Sequence, residues 1–544
     1  MTATTVDAGD GLPLTVPALL RERSARRKDH PLLICDDQIL TYAGAASTSA
    51  ALAKGLLARG AGVGTHVGLL YPNGPEFVVG WLATARIGAV AVPLSTFSTN
   101  AELTTLLRGA DIEMVLATAT FRGRDYVEAV GHAVPDLDLA AAAPLYAASA
   151  PVLRRVAFNG VASGVVGGEW TVQALLDAGT RLDDGTLAAA EAVVSPADRM
   201  VIVHTSGSTS APKGVIHQHG PLIRHLDNLN QMRRYAQHEV LFSNSPFFWI
   251  GGFAYGLLGT LVAGATLACS NATDASGSLD LLERVRPTMV NGFAQSVAHL
   301  AEDPSFAGRD RSSIRRGNLW PIMPAAARPI DPELRHNMLG MTEAGSVCLA
   351  SDDETDQPEH RRGSFGRPVP GFEAKIVDPD TGAVLSAGQV GELWFRGPFL
   401  MEGYYGRERH DTFTVDGWYR TGDLLHVDAE GFYYFAGRHG DMIKTAGANV
   451  SPREVETAIA EVTGLVAHVV GIDDPGRGQI VAAALRIPRG QQQPDPGEMR
   501  SALRSRLSAY KVPRRFLTLA DDEVPLLSSG KLDRPALRER FRDV

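Results

Sequence analysis

The residues best suited to chemistry stand in one stretch, His204 to Val215. Thr205-Ser206-Gly207-Ser208-Thr209-Ser210 gives six consecutive hydroxyl or glycine positions, and Lys213 follows between Pro212 and Gly214. A loop of this kind offers many N–H and O–H donors with little bulk, plus one cation, which suits a polyphosphate. Its spacing is not the G-x-x-x-x-G-K-[ST] of the common P-loop. An apolar run, Met200 to Val203, leads into it and reads as a strand.

Elements around this loop follow from pattern and punctuation. Residues 14–30 read as a short helix with a basic face, and Leu32 to Cys35 and Ile39 to Tyr42 as strands around Asp36-Asp37. A helix from Ala45 to Arg59 ends at Gly60. Val67 to Tyr71, Glu76 to Ile87 and Ala89 to Pro93 then alternate as strand, helix and strand, the signature of a parallel, doubly wound α/β sheet. Residues 138–195 carry no chemical cluster and no regular pattern beyond a short helix at Trp170 to Leu176.

Composition narrows the class. A chain of 544 residues exceeds one ordinary core, so two or more domains are expected. A formal net charge of −9 argues against nucleic-acid binding. Cys35, Cys269 and Cys348 are too far apart in sequence for a metal motif and, with no secretory pattern at the N-terminus, point to a reducing, cytoplasmic setting. Arginine-rich, alanine-rich usage is that of a bacterial source. The uncharged run Ser245 to Ser270 is long enough to span a bilayer, but Pro246 and five glycines favour a buried helix and strand, so no integral membrane protein is expected. His217 and His219 stand without further ligands at metal spacing and read as a helix start.

The loop resembles the phosphate loop of the adenylate-forming superfamily, T-S-G-[ST]-T-G-x-P-K-G, with Ser210 in place of a glycine. That superfamily contains acyl-CoA synthetases, peptide-synthetase adenylation domains and beetle luciferases. Further matches follow in order: Leu339-Gly340-Met341-Thr342-Glu343, Gly391-Glu392 to Gly397-Pro398, Trp418 to Asp423, Gly437-Arg438, Ile443-Lys444 to Glu456, and Ser529-Gly530-Lys531. The chain is most similar to an acyl-CoA ligase. This implies a large N-terminal domain (1–437) of doubly wound mixed sheets with a small barrel-like part. A hinge (438–441) and a small mobile α+β C-terminal domain (442–544) follow.

The resemblance also implies roles. ATP falls to Thr205, Ser206, Gly207, Ser208, Thr209, Lys213, Asp423 and Arg438. A carboxylate after a glycine turn can accept both ribose hydroxyls, the role given to Asp423; Arg438 pairs with phosphate or ribose oxygens or makes a surface ion pair. Thr342 meets the α-phosphate and Glu343 holds Mg²⁺. Lys531 serves the first half-reaction, and Lys444 the second. Gly440 is the pivot, and Gly447 lets a backbone pass close to the coenzyme A arm.

Trp249, Phe253, Phe293, Gly340 and Met341 are expected to wall the acyl pocket, which suggests an apolar, bulky or cyclic acid. Glycines 251, 252, 256 and 259 either leave room for that acid or pack helices, and Phe293 is either core or contact. The superfamily's glycine turn on the adenine side is expected at Pro324-Ala325-Ala326-Ala327, with a shortened connection to Gly340.

The implied reaction is ATP-dependent formation of an acyl-AMP with release of pyrophosphate, then transfer to coenzyme A. Transfer to a carrier protein or a non-thiol acceptor is the alternative. A nucleotide- and acyl-binding homologue with impaired catalysis is the reading from another class. A homodimer is compatible with all three.

Overall fold

The structure, a computed structural model, describes residues 11–162, 164–205, 212–379, 381–438, 443–487, 493–520, 523–525 and 532–542. The chain divides into two compact units: one comprises Met1–Thr96, Leu107–His204 and Gly214–Gly437, the other Phe97–Leu106, Thr205–Lys213 and Arg438–Val544. Two short internal segments thus join the C-terminal one in the smaller unit, a division the sequence patterns did not suggest.

Two largely parallel sheets organise the larger unit. The first runs Arg316–Gly317, Met289–Asn291, Val240–Ser243, Thr266–Cys269, Pro31–Cys35 and Gln38–Thr41, with only the last pair antiparallel. The second runs Gly403–Tyr404, Lys213–Gln218, Arg199–Thr205, Val90–Pro93, His66–Leu70, Met114–Thr118 and Arg155–Asn159. Antiparallel sheets of three and four strands form the barrel-like part, the latter built from Glu373–Val377, Gly391–Arg396, Tyr419–Val427 and Tyr433–Arg438. Residues 138–195, left without pattern above, contribute the Arg155–Asn159 strand and the helices Val172–Gly179 and Asp184–Val193.

Local chemistry sets these elements. Thr41 caps the helix Tyr42–Ala58 by accepting from Gly44 N at 3.0 Å. That helix crosses Val172–Gly179 so closely that a Cβ on Gly55 would lie 2.4 Å from Leu175 O, which makes glycine obligatory there. Pro75 opens the helix Pro75–Arg86, whose buried face carries Phe77, Trp81 and Leu82. The uncharged run folds as a π-helix Gly251–Leu258, a helical turn Gly259–Ala263 and the strand Thr266–Cys269, nearly all buried. No helix among the described residues is long and apolar enough to cross a membrane.

The smaller unit centres on Gly478–Arg486, flanked by Ala467–Asp474 and Arg515–Leu519. Its helix Pro452–Thr463 starts on Ser451, whose hydroxyl accepts from Glu454 N, and stops at Gly464 in the left-handed region (φ +71°). A buried charge cluster lies within this unit. Lys511 Nζ is 2.7 Å from Glu102 Oε1 and 2.7 Å from Glu454 Oε1, and Ser508 Oγ donates to Glu102 Oε2 at 2.6 Å.

Candidate active site

Arg199–Thr205 and Lys213–Gln218 are neighbouring strands of the seven-stranded sheet, and the hydroxyl-rich loop joins them. Met200, Val201, Ile202 and Val203 are buried, so the strand that delivers the loop is anchored in the core. Gly214 permits the close approach, since a Cβ there would lie 2.8 Å from Ile202 Cγ2. Thr205 ends the first strand and Lys213 begins the second. Ser206, Gly207, Ser208 and Thr209 lie outside the described residues, as does Ser210.

Thr342 and Glu343 occupy a single 3₁₀ turn, Thr342–Ala344, directly after the strand Leu339–Met341. Gly345 closes the turn at φ +72°, where a Cβ would lie 2.7 Å from Leu222 Cδ1. His217 Nε2 donates to the Thr342 carbonyl at 2.6 Å, which fixes its tautomer. Burial brings the His217 pKa down to about 4, so the imidazole is a neutral donor at physiological pH. Tyr404 Oη donates to Glu343 Oε1 at 2.7 Å and lies 3.1 Å from Tyr419 Oη. Burial, reinforced by the Glu343 carboxylate, raises the Tyr404 pKa, so this donor keeps its proton. One carboxylate oxygen is thus oriented by a phenol while the backbone on both sides is pinned. A single oriented carboxylate fits Mg²⁺, which binds through one or two carboxylates plus substrate phosphates. The supporting roles of His217 and Tyr404 were not read from the sequence, because a lone histidine and a lone tyrosine carry no spacing signal. His219 instead accepts from Val16 N, and among the described residues no group of three or more His, Cys, Asp or Glu side chains stands together as a metal site.

Asp423 sits on the Tyr419–Val427 strand where its pairing with Gly391–Arg396 shifts register. Gly422, at φ +72°, forms that irregularity; its N–H donates to Glu392 Oε1 at 2.9 Å. Thr421 Oγ1 accepts from Asp423 N at 3.0 Å, and Asp423 is 6% exposed, so the carboxylate has little freedom. The backbone of Arg438 ends the following strand.

In the smaller unit Lys444 lies exposed on the strand Ile443–Thr445. A two-residue turn, Ala446 (φ +47°) and Gly447 (φ +84°), links it to Ala448–Val450. Gly440 and Lys531 fall outside the described residues.

Of the residues expected around the acid, Trp249 and Phe293 meet edge to face with ring centroids 5.9 Å apart. Gly340 and Met341 lie on the strand that leads into the Thr342 turn. Phe253 is fully buried and packs edge to face on Trp81 at 5.2 Å. The strand Arg316–Gly317 ends at Gly317 (φ +129°), where a Cβ would lie 1.8 Å from Val290 O, and Asn318 follows. Asn318 Oδ1 accepts from Gly292 N at 3.0 Å, locking the ends of two parallel strands together. Pro324–Ala327 comes only after a further turn, Trp320–Ile322.

Beside those strands is a cavity of about 320 Å³, lined among others by Arg233, Tyr255, Asn291, Arg316, Asn318 and Met338.

Sequence and fold comparisons agree with this geometry. The AMP-binding enzyme family matches residues 20–405, and the AMP-binding enzyme C-terminal domain matches residues 454–531. A putative acyl-CoA synthetase, YngI of Bacillus subtilis, is 28% identical over 549 residues, covering 97% of both chains. The 3-[(3aS,4S,7aS)-7a-methyl-1,5-dioxo-octahydro-1H-inden-4-yl]propanoyl:CoA ligase of Mycobacterium tuberculosis is 30% identical over 549 residues, 96% of this chain and 98% of its own. The structure of amide bond synthetase McbA from Marinactinospora thermotolerans superposes with a TM-score of 0.75 at 25% identity, covering 96% of this chain and 99% of that one. The chain belongs to the AMP-binding enzyme family, within the adenylate-forming superfamily, and is most like its acyl-CoA ligases.

Proposed function

We propose that this protein is an AMP-forming acid–CoA ligase whose substrates are a carboxylic acid, ATP and coenzyme A. The observation that carries the reading is the Thr342–Glu343 turn, a carboxylate oriented by Tyr404 on a backbone held by His217. Preorganised groups of this kind do not have to reorient as charge develops, which is how electrostatic catalysis lowers a barrier.

In the first half-reaction a carboxylate oxygen of the acid attacks the α-phosphorus of ATP. The bond to the bridging oxygen breaks, and pyrophosphate leaves with its electron pair. Lys213, the Thr205–Thr209 donors and Lys531 offset charge on the phosphates, Thr342 holds the α-phosphate, and Asp423 with Arg438 holds the ribose side. When bound, Mg²⁺ on Glu343 supplies Lewis-acid stabilisation of the same oxygens.

In the second half-reaction the coenzyme A sulfur, having given its proton to solvent or base, attacks the acyl carbon. The C–O bond to phosphate breaks and AMP leaves. Between the two, the 442–544 domain turns about Gly440 in the 438–441 hinge and brings Lys444 and Gly447 to the thiol, a motion glycine permits at little cost. The acid's apolar, bulky or cyclic part lies against Trp249 and Phe293. A second reading, an amine or other non-thiol acceptor, is favoured by the likeness to the amide bond synthetase.

ATP–pyrophosphate exchange across a panel of acids, followed by addition of coenzyme A or an amine to preformed acyl-AMP, tests both readings. A thioester product supports the ligase, and an amide supports the second reading. Exchange should fall by about 10²–10³ in Lys531→Ala. Full exchange in that variant would remove Lys531 from the first half-reaction, and ATP binding without exchange for any acid would favour the impaired homologue.

A further inference from the structure

Arg233 is a buried cation with an incomplete shell. It is 9% exposed and belongs to the 320 Å³ cavity. Its Nε and Nη2 donate to Asn230 Oδ1 at 3.1 and 2.7 Å, and Nη2 also to the Tyr255 carbonyl at 2.9 Å. The guanidinium stacks over the Tyr255 ring at 3.9 Å and the Tyr235 ring at 4.6 Å. These partners are neutral. Among the described residues, nothing hydrogen-bonds the buried Nη1 and no carboxylate pairs with this arginine. Glu239 is engaged by Arg315 at 3.1 Å and Arg316 at 2.8 Å. An uncompensated buried charge costs several kcal/mol, so a fold that keeps one has a use for it.

The surroundings are built to hold it. A Cβ on Gly259 would lie 2.6 Å from Arg233 Nη2, so glycine there makes room for the guanidinium. The Tyr255 carbonyl it meets belongs to the π-helix, a geometry enriched at functional sites. Two other residues of the same cavity also have buried polar atoms without partners, Asn291 Oδ1 and Arg316 Nε. Asp352, Asp353 and Glu354 also line it, but all three are exposed, and Asp353 is turned to Thr355 and Gln357. The cavity therefore has one buried cation without a carboxylate partner among the described residues, Arg233, and exposed acidic residues in its lining.

Its walls come from the segments that carry the acid-site residues. Tyr255 follows Trp249, Asn291 precedes Phe293, and Met338 precedes Gly340.

We propose that the acid carries a second anionic group, a carboxylate or sulfonate remote from the one adenylated, and that Arg233 Nη1 with Arg316 Nε selects it. Asn291 Oδ1 accepts from a hydroxyl or amide N–H on the same substrate. This rests on the acid–CoA ligase reading and narrows its substrate to a dianionic acid. A guanidinium is suited to the task because its fork matches a carboxylate or sulfonate.

The test compares matched pairs, adipate against hexanoate and phthalate and 2-sulfobenzoate against benzoate, in ATP–pyrophosphate exchange on the full chain. The dianion should be preferred at least tenfold in kcat/KM. Arg233→Met should lose about 10²-fold on the dianion with little change on the monoanion. Gly259→Ala, which displaces the guanidinium but keeps its charge, and Arg233→Lys should give intermediate ratios, so the result does not hang on one variant folding. ATP binding should be unchanged in all three. Equal use of both acids by the wild type, or an unchanged ratio in Arg233→Met, overturns the proposal. Silence with every acid would instead count against the ligase reading; thermal-shift binding of the same dianions to wild type and Arg233→Met then decides the role of Arg233 by itself, binding lost in the variant supporting it and equal binding refuting it.

Discussion

Lys511 and Arg233 are both buried cations, and the protein treats them oppositely. Lys511, its side chain 8% exposed, has two glutamates at 2.7 Å and a neighbouring serine that completes one of them. Arg233 has an amide oxygen, a carbonyl and two ring faces, and one nitrogen with no hydrogen-bond partner among the described residues. A cation whose counter-charges are supplied by its own chain is a structural part. A cation whose shell stops short, beside a cavity, is a binding part. Desolvation applies to both; only the identity of what compensates it differs.

The largest test of that contrast is stability without ligand. Lys511→Met leaves Glu102 and Glu454 buried together with no cation, and it should cost about 3–5 kcal/mol. Arg233→Met removes a charge that no carboxylate among the described residues neutralises. It also strands Asn230 Oδ1 and the Tyr255 carbonyl, so the net change should lie within about 1 kcal/mol of zero or be stabilising. Urea unfolding of the two variants beside wild type reads both values. A loss above about 3 kcal/mol in Arg233→Met would make that arginine structural and break the distinction.

Neither cluster could be read in the sequence, and the reason is the same for both. Glu102 and Lys511 are far apart along the chain, and Arg233 looks like one more helix-end arginine; no local spacing announces a long-range charge contact. The phosphate loop, the Thr342–Glu343 pair and Asp423 stood out because each is a short run whose residue types must be contiguous to work. The same logic explains the fold. Alternating strands and helices from Val67 to Pro93 have sharp boundaries at Pro72-Asn73-Gly74 and Gly88, which is why they were visible. Arg155–Asn159 was missed because a five-residue edge strand in an alanine- and glycine-rich region has too few positions to show a period.

Backbone conformation is another feature that residue types alone do not announce. Pro324-Ala325-Ala326-Ala327 is a run of small residues without a glycine, whereas Gly317 takes φ +129° with a 1.8 Å Cβ approach to Val290 O that excludes any side chain. A phenylalanine in a glycine-rich run, such as Phe253, reads equally as pocket wall and as core, and its edge-to-face packing on Trp81 shows only in the fold.

A smaller and finer test uses pH. Glu102 and Glu454 start from the same ordinary glutamate value of 4.5 and are displaced in opposite directions. Burial pushes both up; at Glu102 the Lys511 ammonium and bonds from Ser508 and Thr99 outweigh it, while at Glu454 burial prevails. A carboxyl held low contributes stability that is present above its unfolded value and lost as pH falls through its folded one; a carboxyl held high takes up a proton first, and that uptake favours the folded chain. On acidification wild type therefore neutralises Glu454 before Glu102, whose pairing with Lys511 persists longer. In Lys511→Met both carboxyls lack the cation, both are raised, and both regain stability as they protonate. The stability gap between wild type and Lys511→Met should be widest near pH 8 and shrink steadily towards about pH 5. The gap for Arg233→Met should stay flat over the same range, because no carboxylate pairs with Arg233 among the described residues. Unfolding midpoints of the three proteins across that range would sharpen the contrast, and a sloping Arg233→Met gap would reveal an acidic partner that the ligand-free geometry does not provide.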